Sequence, residues 1–157
     1  MNKQRLLTLA TELEKPVLPL PFDMRDWYGH GYAFMDELQD GAPVSEATAK
    51  DCGTSACAVG LACLMPEFQK QGLGTTGVTP VVSTLDGKEI ANGWGAVHLF
   101  FGVDTRNAHY LFDPDYYTTD EAGAQSITPK MVAARIREVV AADDRDTDSL
   151  ANELSDL

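Results

Sequence analysis

The sequence has no long apolar run and little positive charge. None of its apolar stretches approaches the roughly 18 residues that a membrane-spanning helix needs. Its 12 Lys and Arg side chains are outnumbered by 24 Asp and Glu, which gives a formal net charge of −12. Nucleic acids and anionic membranes are bound by clustered basic side chains. The composition therefore argues against direct nucleic-acid binding and against a membrane as a partner.

Cofactor and metal motifs are also missing. The chain has no GxGxxG sequence and no P-loop, because Gly72-x-Gly74 lacks the trailing glycine and the lysine of a phosphate-binding loop. Cys52, Cys57 and Cys63 follow a C-x4-C-x5-C spacing that matches no common zinc or iron–sulfur site. We therefore expect no cofactor and no metal. An odd number of cysteines without a secretory signal predicts reduced thiols and a cytoplasmic location.

What the sequence does contain is typical of one globular domain. A chain of 157 residues with 44% hydrophobic and 23% charged residues has an ordinary domain size and composition. The pattern predicts an α+β, mainly helical single domain over residues 1–142, with a buried central helix and a small β-hairpin. Residues 143–157 carry six acids against one Arg and no aromatic residue. We expect them to form a flexible, acidic C-terminal tail.

Both ends of this domain have the apolar spacing of helices. Near the C-terminus, Thr128 and Pro129 are the residue types of an N-cap and a first helical position, which predicts a helix near 129–142. At each end, apolar residues recur every three or four positions and predict one buried face. These residues are Leu6, Leu9, Ala10 and Leu13 at the N-terminus, and Val132, Ile136 and Val139 near the C-terminus.

The middle of the chain contains the predicted central helix and the hairpin. Every residue from 56 to 64 is small or apolar, so a helix over 54–65 is expected to be buried on all sides. Asp51, Thr54 or Ser55 is expected to cap its N-terminus. Further along, Asp86-Gly87 separates two stretches with β-branched residues and predicts a tight hairpin turn.

Residues 94–117 admit two interpretations. In the first, a helix ends at Gly102, and Asp104 caps a second helix that stops before Pro114. In the second, 97–103 and 108–113 are the strands of a hairpin. We favour the helices because the cap, the apolar spacing and the proline stop fall in the right places.

The aromatic residues of the chain are expected to be core residues rather than a ligand platform. His109, which follows Ala108 on the second predicted helix, is expected to face solvent. The aromatic residues concerned are Trp27, Trp94, Phe100 and Phe101.

Three residues could carry chemistry. Cys52 is predicted at the start of the buried helix, where free backbone N–H groups and the helix dipole would lower the thiol pKa. Asp51-Cys52-Gly53, His98 and Asp113-Pro114 resemble the corresponding segments of papain-like cysteine peptidases of the bacteriocin-leader-processing type. This resemblance implies the strand arrangement of residues 97–113. It also implies a hydrolase with Cys52 as nucleophile, His98 as base and Asp113 as the carboxylate that orients the base.

A second resemblance covers more of the chain. Phe22-Asp23-Met24, the CGTxACAxG motif over 52–60, Phe101-Gly102-Val103 and Thr128-Pro129 occur here in one order. In this combination the sequence resembles a group of small uncharacterised proteins of bacteriophages and bacteria. The resemblance implies the helical form of residues 95–113 and a phage or prophage context. It assigns no catalytic role to any residue.

Two functions follow as expectations. The first is a small acidic intracellular interaction protein, such as a phage accessory or host-targeting factor, that binds a basic surface of a host protein in the host cytoplasm. The alternative is the cysteine hydrolase that uses Cys52, His98 and Asp113. The sequence leaves open whether the acidity is functional or only makes the protein soluble, and it does not indicate an oligomeric state.

Overall fold

The computed structural model describes residues 1–29, 43–46, 49, 54–117, 123 and 126–155, with 145–155 described by their backbone alone. In these ranges the chain is an α+β domain of helices and two small antiparallel sheets, which confirms the expected fold class. No helix in this part of the chain is long and apolar enough to cross a membrane.

The helices are α1 (Lys3–Leu13), α2 (Ala58–Leu64), α3 (Pro66–Gln69), α4 (Gly93–Phe101), α5 (Thr105–Phe112) and α6 (Pro129–Ser155), with a 3-10 turn at Pro114–Tyr116. The strands are β1 (Tyr28–Gly29), β2 (Ser55–Ala56), β3 (Leu73–Thr76), β4 (Thr79–Ser83) and β5 (Glu89–Asn92). Strands β1 and β2 pair with each other, and β4 is the middle strand of a β3-β4-β5 sheet.

Helix α2 lies at the centre of the core, and all of its residues are buried, as predicted. It starts later than predicted because Ser55–Ala56 pairs with Tyr28–Gly29 as a strand. The N-cap is therefore Cys57, whose Sγ accepts a hydrogen bond from the N–H of Gly60 at 3.4 Å. Thr54 and Ser55 do not cap the helix, and Asp51 lies outside the described residues.

Helices α1 and α6 pack along each other, and their predicted apolar faces are the faces that they bury. Leu6, Leu9, Ala10 and Leu13 are buried in α1; Val132, Ile136 and Val140 are buried in α6, where Val139 is partly covered. Helix α6 does not end near residue 142 but continues to Ser155. Residues 143–155 contain no Gly or Pro that would stop it. That the acidic tail is flexible stays a prediction.

Residues 93–112 form two helices, so the favoured interpretation is confirmed and the strand alternative is wrong. Helix α4 ends at Gly102, which has a left-handed backbone with a φ of 61°. A Cβ at this position would lie 3.0 Å from the backbone nitrogen of Asn2, so the chain terminus also packs here. Helix α5 is capped by Asp104, whose carboxylate accepts a hydrogen bond of 2.7 Å from the N–H of Asn107.

The hairpin predicted at Asp86-Gly87 connects β4 with β5. Phe100 and Phe101 are fully buried, as expected, and pack edge-to-face on Phe68. The largest fully buried side chains of the core are Phe68 of α3, Phe100 and Phe101 of α4, and Tyr28 of β1.

Candidate functional site

A cleft of about 400 Å³ opens between the segment before β1 and the end of α5. Two kinds of side chain line it, one apolar and one charged. The apolar group contains Met24, Trp27, Trp94 and Phe112, and the charged group contains Arg25, Asp26, Asp113 and Asp115. The two tryptophans, which the sequence predicts in the core, are partly buried. They pack against the core and also form walls of this cleft.

Trp27 is positioned by the first turn of α2. Its carbonyl oxygen accepts a hydrogen bond of 3.2 Å from the N–H of Cys57. Gly60 packs directly against the same carbonyl, and a Cβ on residue 60 would overlap the oxygen. The next residue, Tyr28, is buried and donates its hydroxyl proton to the Gly60 carbonyl at 2.6 Å. The second half of the CGTxACAxG motif therefore holds the backbone of one cleft wall.

Trp94 is positioned by contacts with two other rings. Its indole meets that of Trp27 edge-to-face, with ring centroids 5.0 Å apart. The imidazole of His109 lies 4.2 Å from the Trp94 ring and is tilted by 34°. The expectation that His109 faces solvent is therefore wrong, because α4 packs across α5 and its Trp94 side chain covers the imidazole.

His109 is also hydrogen bonded to Asp113. Nδ1 of the imidazole lies 3.0 Å from the Asp113 carboxylate, one helical turn further along. A carboxylate in this position fixes the orientation of the ring and the proton on Nδ1. The sequence shows this pair as an i, i+4 spacing at the end of α5, and that spacing is the available signal for it.

The structure does not bring the three predicted catalytic residues together among the residues that it describes. Cys52 lies outside the described residues. His98 is on α4, and its Nδ1 donates a hydrogen bond of 3.0 Å to the carbonyl of Val103. This bond fixes the backbone just after the C-terminal end of the helix. Asp113 is paired with His109 rather than with His98. The Cys52–His98–Asp113 triad stays a prediction, and its implied strand arrangement is not found.

The two described cysteines are not activated nucleophiles. Cys57 borders the cleft but is only 2% exposed, and burial raises the pKa of its thiol to about 11, although hydrogen bonds from the N–H groups of Gly60 and Val59 oppose this shift. Burial also raises the pKa of Cys63. Both are free, neutral thiols at pH 7. No group of three potential metal ligands occurs among the described residues.

The charged part of the cleft has an excess of carboxylates. The guanidinium group of Arg25 donates hydrogen bonds to both carboxylate oxygens of Asp23, and this contact lowers the pKa of Asp23. Asp26 and Asp115 are exposed, and within the described part of the chain neither carboxylate has a basic partner. The cleft therefore carries net negative charge beside two indole rings.

Comparison with protein-family models, with curated proteins and with solved structures finds no match to this chain. The resemblances to the phage group and to cysteine peptidases stay predictions. The function therefore has to be inferred from the chemistry of the surface and of the cleft.

Proposed function

We propose that this protein is a small acidic interaction protein that binds a basic surface of another protein. The fold uses much of its positive charge internally. Among the basic side chains that the structure describes, six contact carboxylates, carbonyl oxygens or aromatic rings of the same chain. They are Lys3, Arg5, Lys15, Arg25, Arg135 and Arg137.

Two of these arginines each form a hydrogen bond with a backbone carbonyl and a cation–π contact with an aromatic ring. Arg5 donates to the carbonyl of Phe100 at 2.6 Å and lies over its ring, 4.0 Å from the centroid. Arg135 donates to the carbonyl of Tyr110 at 2.9 Å and lies 3.5 Å from the centroid of Tyr117. These guanidinium groups are engaged inside the domain and are poorly placed to neutralise exposed acids elsewhere.

The formal net charge of −12, which the internal ion pairs leave unchanged, is the observation that carries the proposal. Summed surface charge steers oppositely charged proteins together and raises association rates by about 10- to 1000-fold. The same field repels the phosphates of nucleic acids. We propose that the protein works in the cytoplasm, or in the host cytoplasm if a phage encodes it, where the thiols of Cys57 and Cys63 stay reduced.

The proposal is tested with the immobilised protein and a lysate of the candidate bacterial host. At ~50 mM salt we expect a basic protein to be retained, and at ~300 mM most of it to be lost, because the Debye length becomes shorter than the reach of steering. With the recovered partner, the association rate should fall about tenfold or more over this range, while the dissociation rate changes little. The proposal is wrong if no partner is retained at low salt, or if every retained protein survives high salt.

A further inference from the structure

The cleft offers both kinds of contact that a cationic side chain uses. Lys and Arg are attracted to the face of an indole ring within about 6 Å, and their N–H groups form strong hydrogen bonds with carboxylates. Trp27 and Trp94 provide the rings, and Asp26 and Asp115 provide carboxylates that lack a basic partner in the described part of the chain. A volume of about 400 Å³ lies within the usual range of small-ligand pockets, which begins near 300 Å³.

The walls of the cleft are in place before anything binds. The Trp27 carbonyl is held by Cys57 and pressed against Gly60. Trp94 is packed against Trp27 and against His109, whose ring is in turn hydrogen bonded to Asp113. A preformed site loses little conformational entropy on binding.

The charges determine what the cleft accepts. An anion would meet Asp26, Asp113 and Asp115, while Arg25, the basic residue in the lining, is already bound by Asp23. A purely apolar group would contact the indole rings and form no hydrogen bond with the exposed carboxylates of Asp26 and Asp115. We infer that the cleft receives one Arg or Lys side chain of the basic partner, between the tryptophans and the carboxylates of Asp26 and Asp115. This inference rests on the proposed function and names its point of attachment.

The two tryptophans make the inference directly measurable. The chain contains only two, and both line the cleft, so tryptophan emission, excited selectively over the five tyrosines, reports on this site. The probes are Nα-acetyl-arginine amide and Nα-acetyl-lysine amide. The matched control ligand is Nα-acetyl-citrulline amide, which has nearly the shape of the arginine probe but no charge. We expect a saturable change in emission with the two cationic probes and none with citrulline.

Variants separate the cleft from the general acidity. The double variant Asp26→Asn, Asp115→Asn should weaken binding of the arginine probe by about tenfold, because it removes two charge-assisted acceptors. Glu138→Gln is the control for loss of an acid elsewhere, since Glu138 is exposed on α6 and does not line the cleft. It should leave the affinity unchanged. Circular dichroism verifies that each variant is folded.

The outcomes distinguish this inference from the proposed function. The inference would be overturned if the citrulline probe gave the same change in emission as the arginine probe. It would also be overturned if Glu138→Gln weakened binding of the arginine probe as much as the Asp26→Asn, Asp115→Asn double variant does. A partner that is captured in a salt-sensitive way and binds the double variant as tightly as the wild type would also overturn it, while the proposed function would stand. Saturable binding of the arginine probe without any captured partner would support the cleft and contradict the proposed function.

Discussion

The carbonyl oxygen of Trp27 lies where a side chain on Gly60 would begin. A Cβ on residue 60 would also lie 3.2 Å from the Cβ of Ala56. Because Trp27 is a wall of the cleft and Gly60 is in the buried helix α2, this contact couples the shape of the cleft to the packing of the core.

Gly60→Ala should therefore destabilise the protein, although alanine is the better helix former. The added methyl group has to displace a backbone carbonyl, and overpacking of this kind costs about 1–3 kcal/mol. We expect a lower free energy of unfolding in urea and a shift in the tryptophan emission of the folded state, because Trp27 moves.

Gly74→Ala is the matched control for this substitution. Gly74 is in β3 and does not have a positive φ, and a Cβ added to it would meet no other atom within 4 Å. Alanine at this position should leave the stability unchanged or raise it by up to about 1 kcal/mol. Equal stabilities of the two variants would contradict the contact between Gly60 and Trp27.

The local features of the fold are predictable from sequence, and the long-range contacts are not. The apolar face of α1, the hairpin at Asp86-Gly87 and the helices around Gly102 depend on neighbours within a few positions. The contact of Trp27 with Trp94 joins the segment before β1 to the start of α4, and no spacing in the chain indicates it. For this reason the sequence does not predict the cleft.

The same distinction explains the individual errors. The sequence predicts His109 in solvent because its own helix gives no sign of Trp94 above it. It predicts the N-cap of α2 too early because the pairing of Ser55–Ala56 with Tyr28–Gly29 is a tertiary contact. In both cases a distant segment, rather than local propensity, decides the structure.

Cys57 should make the protein less stable at alkaline pH. Burial raises the pKa of its thiol from 9.0 to about 11, so the folded state favours the neutral form. This contribution is complete below pH 9 and is lost as the pH rises through about 11, because the unfolded chain ionises first. Two pKa units correspond to about 3 kcal/mol at most.

Cys57→Ser tests this expectation, because serine does not titrate in this range and can still accept from the N–H of Gly60. Burial raises the pKa of Cys63 and Tyr28 as well, so both proteins should lose stability between pH 8 and 11. The wild type should lose more, as measured by urea unfolding at each pH. Parallel curves would show that Cys57 is not the residue responsible.

The stability that ion pairs between α1 and α6 contribute should depend on the salt concentration. Lys3 lies 2.9 Å from Asp143 and 2.5 Å from Asp144, and these contacts raise the pKa of the lysine. The pairs are exposed, so their effect is small and screened. We expect Asp143→Asn, Asp144→Asn to lower the melting temperature slightly at ~50 mM salt and not at ~1 M.

Glu138→Gln serves as the control for the loss of these ion pairs, because it removes an exposed acid from the same helix and does not affect a partner of Lys3. It should leave the melting temperature unchanged or raise it, since it reduces the net negative charge. If the Asp143 and Asp144 variant melts like this control at low salt, the ion pairs contribute nothing to the docking of the two helices.

Alkylation of the three cysteines tests the hydrolase alternative. Cys57 and Cys63 are each 2% exposed, and burial raises the pKa of both thiols. Iodoacetamide reacts with accessible thiolates, so in the folded protein these two should react on the order of 100-fold more slowly than in urea, through local opening. Peptide mass spectrometry measures each site separately.

Any fast reaction at neutral pH therefore belongs to Cys52. If Cys52 is a catalytic nucleophile with a lowered pKa, its alkylation rate should change little between pH 8 and pH 6, whereas an ordinary thiol slows in proportion to its thiolate fraction. The variant Cys57→Ser, Cys63→Ala leaves Cys52 as the sole thiol and allows its rate to be followed directly. His98→Asn added to this variant should then restore the ordinary pH dependence. If the alkylation rate of Cys52 falls about tenfold per pH unit in the variant that still contains His98, the thiol of Cys52 is not activated. The cysteine hydrolase alternative would then be wrong.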